Sequence, residues 1–168
     1  MNEPTTREPT TLDINGVMKY LPHRYPFLLV DRVLEFVPGK SIRALKNVTY
    51  NEPYFTGHFP HRPLMPGVIM CEAAAQLSSY YAVKNKLMDG MMGFGGMEDI
   101  RFRGVVRPGD RFVIVTRLLK ARRTIITCEF QSFVGQNLVC EGLIKGIPLP
   151  LNQLTAGQPG GPMSGDET

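Results

Sequence analysis

No apolar run in the sequence approaches the ~20 residues that a membrane-spanning helix requires. Paired cysteines are also missing. Cys71, Cys128 and Cys140 form no C-x-x-C spacing, and their odd number argues against a disulfide framework or a thiolate metal knuckle. A reducing cytoplasm is the simplest compartment. Met1 to Thr11 has neither the basic nor the apolar region of a secretory signal, so none is expected. Three histidines (His23, His58, His61) without i, i+4 pairing or an organised carboxylate set predict no metal site. Nor is a cofactor motif visible. Gly93-Phe94-Gly95-Gly96 is followed by no G-x-x-x-x-G-K-[ST] pattern and opens no helix, so it reads as close packing around Phe94.

What is present centres on residues 57 to 72, Gly57-His58-Phe59-Pro60-His61-Arg62-Pro63-Leu64-Met65-Pro66-Gly67-Val68-Ile69-Met70-Cys71-Glu72. Prolines fix φ and remove backbone donors, so His58 to Gly67 is expected to be a rigid, irregular loop. Pro66-Gly67 stands where a helix can open, and Val68 to Met88 reads as that helix, with Ala73, Ala74 and Ala75 near its centre. Glu72 is the anomaly in this apolar segment. A buried carboxylate needs a partner or a task.

Around this stretch the chain divides simply. Residues 1–11 are expected to be a flexible arm, 12–152 a single domain and 153–168 a Gly/Pro/Ser-rich disordered tail. A short helix is expected near Leu12–Tyr20 with Asp13 as N-cap, then a proline-punctuated turn over Leu21–Phe27. Strands are expected over Leu28–Val37 and Lys40–Tyr50, joined at Pro38-Gly39, and Asn51–Pro66 forms the rigid loop. Asp89-Gly90 is expected to end the long helix. Four more strands follow, at Met91–Phe102, Arg111–Ala121, Thr124–Val134 and Leu138–Ile147, the last three as an antiparallel meander. One long helix beside about six antiparallel strands is an α+β layer arrangement with the helix as buried axis. Such a sheet covers only part of the helix, so a second copy of the chain is the expected partner.

Chemistry concentrates on the central stretch. His58 lies on the rigid loop and Glu72 in the second helical turn, while Gln76, at i+4, shares the face of Glu72 and can orient it. The Gly67 and Val68 amides fall in the first turn, where N–H groups lack an intrahelical acceptor and the helix dipole favours negative charge. A histidine, a carboxyl group and free helix amides make an acid/base site with an oxyanion contact. The competing reading, a structural histidine and a solvent-facing glutamate, is not excluded by the residues alone. His23 reads as loop packing beside Arg24, and His61 as an exposed side chain. From Arg101 to Arg123 eight basic residues face a single acid, Asp110, although the whole chain carries only +4. Such a run is either a solvated strand face or a dock for an acidic partner. It is not interleaved with aromatics, which argues against nucleic acid.

The residues Leu21-Pro22-His23-Arg24-Tyr25-Pro26-Phe27 through Asp31-Arg32, Asn51-Glu52-Pro53, Gly57-His58-Phe59-Pro60, Pro66-Gly67 and Glu72 to Gln76 resemble the FabZ family of β-hydroxyacyl-[acyl-carrier-protein] dehydratases. Phe102 and Val105-Val106-Arg107-Pro108-Gly109-Asp110 extend the match, which covers about residues 12 to 147. The resemblance implies a hot-dog fold, dimers assembled as trimers of dimers, and a (3R)-hydroxyacyl dehydratase of type II fatty-acid synthesis. It implies that His58 and Glu72 are the catalytic pair, drawn from different subunits, and that the Gly67 amide, with Val68 beside it, binds the thioester carbonyl. Phe59, Ile69 and Phe94 become candidates for the acyl tunnel, and Arg101, Arg103 and Arg107 for docking of acyl carrier protein. Related dehydratase-isomerases carry aspartate where Glu72 stands, so glutamate points to dehydration alone. One departure is Gly93, where relatives often have tyrosine before the phenylalanine. Alternative readings are a hot-dog thioesterase or hydratase and a non-catalytic acyl-binding paralogue.

Overall fold

A computed structural model describes residues 11–88 and 90–149. The expected arm at 1–10, the tail at 153–168, the domain limit at 152 and Asp89 as helix terminator lie outside the described residues. The chain opens with α1 (Ile14–Met18), capped as expected by Asp13, whose Oδ1 accepts the Gly16 amide at 3.0 Å. β1 (Arg32–Val37) and β2 (Ser41–Asn47) follow as a hairpin whose turn places Gly39 at φ +73°.

The first strand is shorter than the apolar pattern predicts. Leu28–Asp31 stays outside β1 because most of its backbone bonds go elsewhere. Gln76 Oε1 accepts the Leu29 amide, and Gln76 Nε2 donates to the Phe27 carbonyl just before it. The Leu28 amide turns back to Arg24 O, and only the Asp31 amide reaches β2, at Leu45 O. β2 likewise stops before Tyr50, since the Val48 amide and carbonyl pair with Asp110 and Gly109. The predicted irregular loop after it contains a short 3-10 turn, Pro53–Thr56, with proline in its first position.

The long helix α2 (Gly67–Lys84) begins at Pro66 as the sequence suggests, but ends before the predicted Met88. Asn85 is the reason. Its amide and its Nδ2 both bond the Tyr81 carbonyl, its Oδ1 accepts the Gly39 amide from the β1–β2 turn, and Lys86 then takes φ +56°. The remaining strands are β3 (Met91–Phe102), β4 (Arg111–Arg122), β5 (Ile125–Val134) and β6 (Asn137–Leu149).

All six strands join one antiparallel sheet in the order β1-β2-β4-β5-β6-β3, with the meander β4-β5-β6 at its centre. The sheet curls over α2, the hot-dog arrangement. Ala73, Ala74, Leu77, Tyr80 and Tyr81 of the helix are fully buried against sheet residues such as Ile42, Phe112, Ile114, Phe130 and Ile144. Small residues at the helix centre let the backbone approach the sheet closely, while large residues fill the space towards its C-terminal end. The two sheet edges differ. Leu12 bridges β1 through reciprocal bonds with Val33, whereas β3 has no outer partner among the described residues. Exposed Phe94, Met97 and Phe102 lie on β3, and Val68, 66% exposed, opens α2.

Candidate active site

His58 sits where the 3-10 turn runs into the proline-rich loop. Its amide bonds the Tyr54 carbonyl, and Leu64 returns a bond to the His58 carbonyl. Phe59 and Arg62 exchange backbone bonds between them, so the loop is closed on itself. The His58 Nδ1 lies 2.8 Å from the Leu64 carbonyl oxygen. That oxygen can only accept, so Nδ1 carries the proton and Nε2 of the neutral ring keeps a free lone pair. The ring stacks on Phe59, with centroids 4.2 Å apart across a cis peptide bond. Backbone and aromatic contacts thus hold both the position and the tautomer of the imidazole.

Glu72 occupies the second turn of α2, and its Oε1 accepts from Gln76 Nε2 at 2.9 Å. Gln76 is only 1% exposed. Its remaining donor goes to Phe27 O at 2.8 Å and its Oε1 takes the Leu29 amide at 2.9 Å. Three bonds therefore fix the orientation of the amide and leave one donor aimed at the carboxylate. This is the contact that the i, i+4 spacing suggests.

His23, read from sequence as loop packing, also reaches this carboxylate. Its Nε2 stands 3.9 Å from Glu72 Oε1, while its Nδ1 is buried without a partner. Burial pushes the imidazole below its ordinary titration range; the Glu72 charge opposes that shift and Arg24 adds to it. The one signal available in the sequence is its place in a rigid proline-punctuated turn. Its partner is 49 positions away, which no local pattern reveals.

A cavity of about 340 Å³ is lined by His23, Glu72, Gln76 and Ser79 together with apolar Ala75, Met91, Met92, Phe94 and Leu149, beside Gly93. Of the expected tunnel residues, Phe94 lines it; Phe59 and Ile69 do not. Nor does His58, whose ring bonds Leu64 O while Glu72 bonds Gln76 and faces His23, so the histidine and the carboxylate make no hydrogen bond or ion pair within one chain. At the start of α2, Pro66 O accepts the Ile69 and Met70 amides, which leaves the Gly67 and Val68 amides ahead of the helical ladder. A side chain at position 67 would meet Phe102, since a β-carbon there would stand 2.7 Å from Cε1. Glycine lets that aromatic ring cover the helix start.

The basic run is less positive in space than in sequence. Arg103 binds the Glu141 carboxylate through Nε at 2.8 Å and Nη2 at 2.5 Å, and Arg117 lies 3.6 Å from Glu129. Arg103 and Arg107 line one hollow beside the β5–β6 turn, while Arg101 lines another with Asp99, Glu129 and Glu141. Glu141 therefore sits beside both Arg101 and Arg103 and offsets part of their charge.

A curled antiparallel sheet around one helix, with a carboxylate at an apolar cavity, defines a protein of the hot-dog fold. A family model described as a FabA-like domain matches residues 21–142. The chain is 46% identical over 148 residues to the 3-hydroxyacyl-[acyl-carrier-protein] dehydratase FabZ of Shewanella oneidensis, covering 85% of this chain and 96% of that one. It is also 46% identical to the FabZ of Shewanella woodyi over 137 residues, 80% and 90% of the two chains. Among solved structures, the dehydratase heterocomplex ApeI:P from Xenorhabdus doucetiae shares the fold at a TM-score of 0.69 and 19% identity, covering 82% of this chain and 95% of that one. A sigma28-regulated virulence protein from Campylobacter jejuni does so at 0.62 and 16%, covering 82% and 90%. The chain belongs to the FabZ family of 3-hydroxyacyl-[acyl-carrier-protein] dehydratases.

Proposed function

We propose that this chain removes water from β-hydroxyacyl groups carried on acyl carrier protein, giving the trans-2-enoyl thioester in the cytoplasm. The site uses His58 of one subunit and Glu72 of a second. The observation that carries this reading is the pair of prepared groups: an imidazole whose Nδ1 is tied to Leu64 O, and a carboxylate tied to Gln76 at an apolar cavity. Neither group reaches the other within one chain, whereas exposed apolar side chains on β3 and at the start of α2 offer a face for a second copy. Trimers of such dimers are the proposed assembly.

Each step follows from acid/base requirements. The Nε2 lone pair of His58 takes the proton from the α carbon, which is only weakly acidic. Negative charge then develops on the thioester oxygen, where the Gly67 amide, with Val68 beside it at the positive end of α2, donates to it. Hydroxide is a poor leaving group, so Glu72 protonates or coordinates the departing β-hydroxyl as its C–O bond breaks. Gln76 keeps that carboxyl group aligned. Phe94 belongs to the acyl wall, and Phe59 and Ile69 join it across the subunit boundary. Arg107 and Arg103, which share one hollow, receive the acidic carrier protein together with Arg101.

The test follows dehydration, rehydration and thiol release separately on β-hydroxyacyl and enoyl carrier thioesters. Interconversion without thiol release is expected, with His58→Ala and Glu72→Gln each losing most turnover while the protein still assembles. Thiol release without interconversion would make the chain a thioesterase. Near-normal activity in either variant would remove the assigned pair.

A further inference from the structure

Gly93 is buried although it has no side chain to bury, because Leu149 lies across it. β3 and β6 pair with Met91 opposite Leu149 and Gly93 opposite Ile147, so Gly93 and Leu149 are diagonal neighbours on one face of the sheet. A β-carbon at position 93 would stand 2.5 Å from Leu149 Cδ1 and 2.9 Å from its Cγ. Both distances are inside van der Waals contact, so a side chain at 93 would push the Leu149 side chain out of this place. Both residues line the cavity that holds Glu72 and Gln76.

The other apolar walls of that cavity differ in character. Met91 and Met92 are unbranched and adapt their shape to what lies beside them. Leu149 is branched, is the last residue of β6, and is less adaptable than either methionine. We propose that Leu149, seated on Gly93, is the residue that limits how long an acyl chain the cavity accepts. This rests on the reading of the cavity as the acyl site. A small residue at 149 leaves the floor over Gly93 open to further methylenes, and a larger one closes the cavity to all but short chains.

The experiment measures kcat/KM for a ladder of 3-hydroxyacyl-[acyl-carrier-protein] substrates from butyryl to palmitoyl length, using full-length enzyme, Leu149→Ala and Leu149→Phe. Leu149→Ala is expected to raise the long-to-short ratio by about tenfold or more, and Leu149→Phe to lower it, since a methylene in an apolar pocket discriminates by that order. A thermal melt checks the packing itself. Gly93→Ala lowers Tm in the parent but not in the Leu149→Ala background, where the clashing atoms are gone. If the parent dehydrates its substrates and all three proteins give one chain-length profile, the inference is overturned while the dehydratase reading stands. If the parent dehydrates no chain length, both fall.

Discussion

Replacing Gln76 by leucine probes fold and site together. Leucine keeps most of the volume but can neither donate nor accept, so the change removes the bonds to Phe27 O, Leu29 N and Glu72 Oε1. The Leu29 amide is the costliest loss. Leu29 is buried, and an orphaned buried donor costs about 1–3 kcal/mol. Phe27 is exposed, so water can reach its carbonyl, and it and the Glu72 bond each add about 1 kcal/mol. A total of about 3–5 kcal/mol is expected, a large share of the ~5–15 kcal/mol typical of a domain. Urea unfolding should show the midpoint falling with an unchanged slope. Because Glu72 loses its alignment, kcat should also fall by about tenfold or more even where the variant is fully folded. A stability loss under about 1 kcal/mol, or normal kcat, would refute the claim that Gln76 organises both the turn and the carboxylate.

Further consequences concern the supports of the site. Lys46 is 2% exposed, and its Nζ lies 2.5 Å from Glu52 Oε1, at the residue that opens the 3-10 turn leading to His58. Lys46→Met strands that carboxylate and should cost about 3–5 kcal/mol by chemical denaturation, with Glu52→Gln recovering part of it; a cost under about 1 kcal/mol would contradict the buried pair. His23 titrates below its ordinary value of 6.5 because it is buried. Below pH 6.5 the unfolded chain therefore binds a proton that the folded chain refuses, so stability falls with acid from 6.5 down to the folded-state value. His23→Gln should flatten the stability–pH profile in that window, and an unchanged slope would argue against it. Charge reversal at Arg107 should raise KM for carrier-bound substrate, more at low salt than at high, with kcat on a small thioester unchanged; identical KM values would remove this arginine from the docking surface.

Much of the architecture was legible because its signals are local. Turn residues at Pro108-Gly109 and Gly135-Gln136 delimit the meander, whose first turn falls at Arg123-Thr124, one residue beyond the expected Arg122-Arg123, and Pro66-Gly67 marks the helix start. Glu72 and Gln76 share a helical face by spacing alone. What escaped detection depends on pairs distant in sequence. Asn85 ends α2 by binding the β1–β2 turn, so a helical pattern running on to Met88 is cut short by a residue 46 positions from its partner. Leu28–Asp31 has strand composition, but its Leu29 amide goes to Gln76 and its Leu28 amide to Arg24 O, and only Asp31 reaches β2, at Leu45 O. The charge of the Arg101–Arg123 run is offset by Glu129 and Glu141, which belong to later strands. His23 was missed for the same reason. The Pro-rich loop fixes His58, yet nothing in a single chain's pattern says whether a Glu72 of another subunit faces it.

Subunit mixing tests that point most directly. His58→Ala and Glu72→Gln proteins, each inactive alone, are unfolded and refolded together in equal amounts. If each site takes its histidine and its glutamate from different subunits, every mixed dimer contains one intact site and one doubly defective site. Half of randomly paired dimers are mixed, so activity should recover to about a quarter of the parent value. If both groups came from the same chain, no mixed dimer would hold an intact site, and recovery would stay at the background of the single variants.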